Sequence, residues 1–226
     1  MKLLFELINI SYKIKENNIL KNINLKIYEG EKIALIGKSG AGKTTLISIL
    51  NGSRRQTNGE IKIYGKIFSE LKNHQRISIG TIWQDLRLID DLSAEQNVNC
   101  GLLGKNNLLY TFKNLLNICT FNQGHKCMSL CKLDKTIYSE NINKISGGQK
   151  QRVAISRSII QEPDILFGDE PFNNLENSLC IYLKDLFISG KNNYNIKFPN
   201  TILFSLHKLD FLDGFTRIIG LKDGEI

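Results

Sequence analysis

A glycine-rich run in the first third of the chain carries the densest chemical signal. Gly37-Lys38-Ser39-Gly40-Ala41-Gly42-Lys43-Thr44 fits G-x-x-x-x-G-K-[ST] at every fixed position. Glycines at these places let successive backbone N–H groups turn inward and wrap a chain of phosphates. A helix that starts directly afterwards aims its positive end at the same anion. Lys43 adds a full positive charge near the β- and γ-phosphates, and Thr44 offers a hydroxyl to Mg²⁺. With Thr45, the residues from Gly37 onward form the candidate nucleotide-binding set.

A second constellation lies far along the chain. Ile165-Leu166-Phe167-Gly168-Asp169-Glu170 is an apolar strand that ends in two acids. A charge at the end of a buried strand is costly unless it is paired or metal-bound. In a P-loop fold this strand end lies beside the phosphate loop. Asp169 then holds Mg²⁺ through water, and Glu170 orients and polarises the attacking water. Alone, the pair also reads as an ordinary strand exit capped by acids. The complete phosphate loop tips the balance toward chemistry.

The elements that must position these groups are visible as periodicity. In Ile23-Asn24-Leu25-Lys26-Ile27 apolar and polar residues alternate, the mark of a half-exposed strand, and Gly30 marks a turn. Lys32–Ile36 reads as a short buried strand leading into the glycine-rich run, and Lys43–Leu50 as the helix that follows. Further strands are expected at Ile61–Tyr64 and Ile77–Ile82. From Asp85 to Asn143 strand candidates vanish, and Leu108–Cys119 carries apolar residues at helical spacing. The last third returns to alternating types: a helix at Gln149–Ile160, a buried strand at Ile165–Phe167, a helix at Leu175–Ile188 and a strand at Thr201–Leu206. The polar stretch Gly190–Asn200 reads as a surface loop.

Composition narrows the class. The chain has 226 residues and a formal net charge of +8, a balance that favours an anionic partner such as nucleotide phosphates, nucleic acid or a membrane face. Its five cysteines, Cys100, Cys119, Cys127, Cys131 and Cys180, lack a regular spacing. An odd, irregular set argues against a disulfide framework and fits a reducing compartment. His125, Cys127 and Cys131 lack a second ligand pair at zinc-site spacing, so a structural role is expected for them. The opening Met1-Lys2-Leu3-Leu4-Phe5 is interrupted by Glu6 and reads as a strand start, not a signal peptide. No stretch approaches the roughly 20 apolar residues of a spanning helix, so another chain must cross any membrane it serves.

One segment makes the reading specific. Ile145-Ser146-Gly147-Gly148-Gln149 resembles the L-S-G-G-Q signature of ABC (ATP-binding cassette) ATPases, with Ile at its first position, and it precedes the Asp-Glu pair as in that family. The resemblance covers nearly the whole chain. It implies an α/β fold: a P-loop NTPase core with an N-terminal antiparallel β subdomain and an α-helical subdomain. The chain is then a single ABC ATPase domain over residues 1–226, with the helical subdomain inserted at about 85–160. In that family the signature opens a helix and binds the γ-phosphate of an ATP held by the other subunit, a role that falls here on Ser146, Gly147, Gly148 and Gln149. Tyr12 matches the aromatic residue that stacks on adenine. Gln84 matches the glutamine that reaches Mg²⁺ and the attacking water. His207 matches the histidine that contacts the γ-phosphate from a strand end. His74 and His125 match nothing and are expected at the surface.

The resemblance further implies ATP and Mg²⁺ as cofactors, a head-to-tail homodimer, transmembrane permease partners and a substrate-binding protein, at the cytoplasmic face of the cell membrane. Nucleic acid is not an expected partner. Two stretches are similar to the ATPase subunit of phosphonate importers: Trp83-Gln84-Asp85-Leu86-Arg87-Leu88-Ile89 with its continuation through Gly101-Leu102-Leu103-Gly104, and Ser205-Leu206-His207-Lys208-Leu209-Asp210 with its continuation to Gly224. The expected function is therefore an ATPase that energises import of phosphonate or a related compound. The alternatives are another cargo (amino-acid import, lipoprotein release or export), a soluble ABC ATPase of DNA repair or translation, and a regulatory module that binds ATP but barely hydrolyses it. Three departures bear on these. Phe172 stands where the family has a small residue, and Glu176 where it has aspartate. The chain also ends at Asp223-Gly224-Glu225-Ile226, within the family's final strand pair, as a fragment or compact variant would.

Overall fold

The computed structural model describes residues 1–116, 118 and 122–226. In chain order the elements are β1 (Leu3–Ile14), β2 (Asn17–Tyr28), β3 (Lys32–Ile36), α1 (Lys43–Leu50), β4 (Asn58–Ile63), α2 (Asn73–Ile77), β5 (Ile79–Ile82), α3 (Ala94–Asn99), α4 (Leu108–Leu115), α5 (Asn122–Leu130), α6 (Gly147–Ile160), β6 (Ile165–Asp169), α7 (Asn177–Ser189), β7 (Thr201–Leu206) and β8 (Arg217–Gly220). The chain divides into two units. One comprises Met1–Thr81, Asp164–Glu170 and Asn200–Ile226, and the other Ile82–Pro163 and Pro171–Pro199.

The first unit holds two sheets. One is antiparallel, in the order β2-β1-β4. Phe5 faces Ile27 on one side and Ile63 on the other, and Leu7 faces Leu25. The period of two puts these side chains in the core. The other sheet runs β5-β6-β7-β3-β8, with β3 parallel to both β7 and β8, and β6 parallel to β7. Strands β6 and β7 are buried along their whole length, which their near-continuous apolar runs allow. Phe5 meets Phe167 edge to face at 5.4 Å, so the two sheets share one core. The register matters most at the carboxyl ends. Asp169 lies opposite Ser205, Leu35 also lies opposite Ser205, and Ile36 lies opposite Leu206. The exits of β6, β7 and β3 are thereby brought into one row.

The second unit is helical. Along α6, Val153, Ala154, Ile155, Ile159 and Ile160 are buried, and Cys127 and Met128 of α5 are buried with them. Phe187 on α7 is fully buried. Its ring stands 5.4 Å from Phe198, edge to face, and 6.5 Å from Phe172. Phe172 is thus a core residue of this unit, which accounts for a large side chain where the resemblance led us to expect a small one.

Several boundaries differ from expectation. Residues 73–77 form α2, so the neighbouring strand starts at Ile79 rather than Ile77. The backbone N–H of Lys72 donates to Gln75 Oε1 at 3.1 Å and closes the turn that opens this helix, overriding the strand preference of Ile77. Helix α4 ends at Leu115, and Cys119, the expected helix end, lies outside the described residues. His125 is half-buried instead of lying free at the surface. Its ring packs 4.9 Å from that of Tyr138, and its Nε2 is 3.0 Å from Glu95 Oε1.

Replacing Phe187 with alanine removes the centre of the aromatic cluster. The expected loss is about 3–5 kcal/mol of stability, measured by denaturant unfolding. The effect should appear in the helical unit's hydrogen-exchange protection first.

Candidate functional site

The phosphate loop starts where β3 leaves the sheet. A Cβ on Gly37 would lie 2.3 Å from the Leu221 carbonyl oxygen, so only glycine lets the loop pass that strand exit. Gly42 has φ +106, and a Cβ there would meet Leu20 Cδ2 at 2.8 Å and the Ile19 carbonyl at 3.0 Å. Gly42 is also the N-cap of α1 and gives the helix no side-chain cap. The opening N–H groups of α1 are therefore left to an external acceptor. Lys38, Ser39 and Gly40 are exposed around this opening. Lys43 is 5% exposed, and its Nζ donates to the carbonyls of Gly37 (2.7 Å) and Lys38 (3.2 Å). The loop thus holds its own cation at its rim, with one ammonium donor to spare. Thr44 is exposed and Thr45 buried.

Tyr12 sits opposite Leu20 in the β1–β2 register, and Leu20 is the side chain that packs against Gly42. The strand pairing therefore carries the half-buried Tyr12 ring to within one strand of the start of α1. The Arg54 guanidinium lies 5.2 Å from the Tyr12 ring centroid, within range of a cation–π contact.

The acidic end is organised by a residue that the motifs did not single out. Ser205 Oγ donates to Asp169 Oδ1 at 2.8 Å and accepts from the Glu170 backbone N–H at 2.8 Å. Asp169 is buried, and its second oxygen, Oδ2, has no hydrogen-bond partner among the described residues. Such an orphaned carboxylate oxygen fits a hard cation such as Mg²⁺, held with its waters. Glu170 has φ +51, a left-handed conformation that costs a non-glycine residue about 1–3 kcal/mol unless its surroundings hold it. Its Oε1 meets His207 Nε2. Asp169, Glu170 and His207 are thus brought together around Ser205. The signal for Ser205 was a hydroxyl near the carboxyl end of the Thr201-Ile202-Leu203-Phe204-Ser205-Leu206 strand, after three apolar residues and two residues before His207.

The remaining candidates belong to the second unit. Gln84 is exposed in a turn closed by the Leu86 N–H to the Trp83 carbonyl at 3.0 Å. Leu86 and Arg87 are both left-handed, at φ +59 and +46. Arg157 on α6, another residue outside the motifs, donates to the carbonyls of both. Burial lowers the Arg157 pKa from its ordinary value, although an arginine stays charged. Arg87 in turn lies over the Trp83 ring at 3.4 Å.

The signature segment opens α6. Ser146 is the N-cap: its Oγ accepts from the Gln149 N–H at 3.3 Å, and Gln149 Oε1 accepts from the Ser146 N–H at 2.7 Å. This reciprocal capping box leaves the Ser146 hydroxyl proton free to donate outward. Gly147 has open space around it, whereas a Cβ on Gly148 would stand 2.9 Å from the Asn174 carbonyl. Glu176 caps α7 without a side-chain hydrogen bond and is exposed.

A phosphate loop and a paired aspartate and glutamate at the exits of two parallel strands that flank β7 in one sheet define a P-loop nucleotide hydrolase. A capped S-G-G-Q helix narrows the class to the ATP-binding cassettes. The sequence profile of the ABC transporter family matches residues 20–173, and the chain belongs to that family. It binds and hydrolyses ATP to energise a membrane transporter. The chain is 33% identical to a phosphonates import ATP-binding protein of Fusobacterium nucleatum over 231 residues, covering 100% of this chain and 92% of the relative. A phosphonates import ATP-binding protein of Staphylococcus aureus is 36% identical over 216 residues, covering 92% and 80%. Among solved structures, the dimeric structure of the bacterial ABC transporter cassette MJ0796 superposes with a TM-score of 0.81 at 27% identity, covering 99% of this chain and 96% of that one. The same cassette in a post-hydrolysis state bound to ADP and Pi gives a TM-score of 0.76 at 29% identity over the same shares.

Ser205→Ala removes the hydroxyl that joins Asp169 to the Glu170 backbone. With hydrogen bonds to a charged group worth about 1.5–3 kcal/mol, kcat for ATP hydrolysis should fall about tenfold or more. ATP affinity should change little, because the phosphate loop is untouched. Equal losses in kcat and in ATP binding would mark Ser205 as a packing residue only.

Proposed function

We propose that this chain is the ATPase subunit of an importer for phosphonate or a related phosphorus compound. It would act as a homodimer with permease subunits and a substrate-binding protein at the cytoplasmic face of the cell membrane. The cargo reading is supported by the similarity to two phosphonate-import ATPases, which extends along nearly all of the chain. The dimer reading is supported by the dimeric structure of the similar cassette. We take the chain as one cassette over residues 1–226, with its helical insert at about 85–160.

The observation that carries the catalytic roles is the hydrogen-bonded row of Asp169, Ser205, Glu170 and His207 at the ends of β6 and β7. The main-chain N–H groups of Gly37 to Thr45 bind the phosphates of ATP, and Lys43 swings from the loop carbonyls to the β- and γ-oxygens. The Tyr12 ring supports the adenine. Thr44, Asp169 and Gln84 are the residues that would hold Mg²⁺, which supplies neutralisation of phosphate charge when bound. Glu170 accepts a proton from the attacking water as general base. His207, already against the Glu170 carboxylate, holds that carboxylate in line and contacts the γ-phosphate. Ser146, Gly147, Gly148 and Gln149 contribute N–H and O–H donors to the γ-phosphate of the ATP bound by the partner subunit.

Lys43→Ala is expected to abolish productive ATP binding, read by nucleotide titration of the purified protein. Glu170→Gln should lower kcat by about 10²–10⁴-fold and leave an ATP-bound dimer on size exclusion. Hydrolysis at the wild-type rate would refute the assignment of the base. Uptake of a labelled phosphonate by cells with the gene intact, deleted, or carrying Glu170→Gln tests the cargo. Loss in both altered strains is the expected result. Unchanged uptake, with ATPase activity intact in the purified protein, would keep the motor and discard phosphonate.

A further inference from the structure

Helix α4 is built inside out. Its polar side chains are the ones that face protein. Tyr110 and Asn114, one turn apart, are buried. The Tyr110 hydroxyl donates to the Asn99 carbonyl at 3.0 Å, and Asn114 Nδ2 donates to the Gln96 carbonyl at 3.1 Å. Gln96 Nε2 donates back to the carbonyls of Asn114 (2.9 Å) and Leu115 (3.1 Å). The apolar side chains point the other way: Leu108, Leu109, Phe112, Leu115 and Leu116 are each between 52% and 77% exposed. A surface helix ordinarily turns its apolar stripe to the core. Here buried hydrogen bonds fix the helix with that stripe outward, so its exposure follows from the packing. A contiguous apolar stripe of this kind marks a docking surface.

Charge says what docks. No Asp or Glu occurs between Glu95 and Asp134, while Lys105, Lys113, Lys126 and Lys132 fall within that span. Lys105 and Lys113, flanking the stripe, are exposed. This stripe offers only hydrocarbon, bordered by lysine and asparagine. Leucine and phenylalanine on one face, with lysines beside them and no carboxylate, is the pattern of a helix lying in the interface of an anionic bilayer.

We propose that α4 docks on an anionic lipid surface, with its leucines and Phe112 in the headgroup–acyl boundary and Lys105 and Lys113 against the headgroup phosphates. The inference rests on the reading that this ATPase works at a membrane. None of the described helices is long and apolar enough to cross one, so α4 would give the chain its own hold on the surface where its spanning partner resides.

Flotation of the purified full chain with vesicles tests this. Vesicles of phosphatidylcholine alone are compared with vesicles containing phosphatidylglycerol, at low and high salt. The wild-type chain should float with the anionic vesicles, and less at high salt. Phe112→Glu and Leu116→Glu should each lower partitioning by about tenfold or more. Lys105→Gln with Lys113→Gln should remove most of the salt dependence. Retained ATP hydrolysis establishes that each variant is folded. Failure of the wild-type chain to bind anionic vesicles, or unchanged binding of Phe112→Glu, overturns the proposal. If the vesicles are ignored while Phe112→Glu abolishes uptake in cells with ATP hydrolysis intact, the stripe belongs to a protein partner and the lipid reading falls. A wild-type chain that binds vesicles but does not turn over ATP sinks the motor reading and leaves the lipid surface standing.

Discussion

Asp169 is a carboxylate at the end of a wholly buried strand, and the arrangement of the first unit's site follows from satisfying it. A buried charge without partners costs several kcal/mol. One oxygen is satisfied by Ser205, and the other is left over. Ser205 reaches Asp169 because β6 and β7 are parallel and in register at that pair. The same hydroxyl accepts from the Glu170 N–H, which helps fix Glu170 in its left-handed conformation and aims its side chain at His207. A single hydroxyl therefore supports Asp169, Glu170 and, through Glu170, His207. β3, beside β7, adds the phosphate loop to the same row of strand ends. This is the general logic of parallel sheets, in which the carboxyl ends collect the functional groups.

How much of this was legible beforehand depended on whether the constraint was local. The phosphate loop could be read because its residue types answer to backbone demands that act within a few positions. Gly37 and Gly42 have no room for a Cβ, and Gly42 has a positive φ. The S-G-G-Q segment was legible for the same reason, since a capping box is a contact across three residues. Asp169, Glu170 and His207 were legible as strand-end residues. Ser205 was not, since its role depends on the register between strands whose partners lie 36 residues apart. Arg157 was hidden for a similar reason: it sits at an interior position of a helix, and its partners are backbone carbonyls 70 and 71 residues earlier.

Periodicity also has a limit of its own, visible in α4. Apolar residues at helical spacing identified a helix but not which side faces the protein. That choice was made by Gln96, Tyr110 and Asn114, whose side chains donate to the backbone carbonyls of Asn114, Asn99 and Gln96 when the polar face is turned inward. Phe172 shows the same limit. In sequence it stood out only as a large residue two positions after Glu170, and its packing against Phe187 in the interior of the helical unit comes from an element 15 residues further on. In both cases the side chain's partners, absent from its neighbourhood in sequence, determined its role.

The two glycine-bordered helix starts bring out a final physical difference. The opening of α1 has no side-chain cap and a buried lysine tied to the loop's own carbonyls, so positive charge and unfilled donors are concentrated there permanently. The opening of α6 is already capped by its own Ser146 and Gln149 and is exposed. An exposed helix terminus contributes only about 0.3–1 kcal/mol to holding an anion. On its own, α6 is therefore a poor phosphate site, while the loop before α1 is a good one. In the homodimer proposed above, the weak site would gain occupancy only when a phosphate held by the other copy is brought against it, and the Ser146 hydroxyl proton left free by the capping box would then have an acceptor. A strong site and a weak site on one chain suit that proposal, because the first can hold a nucleotide alone and the second adds affinity only on closure.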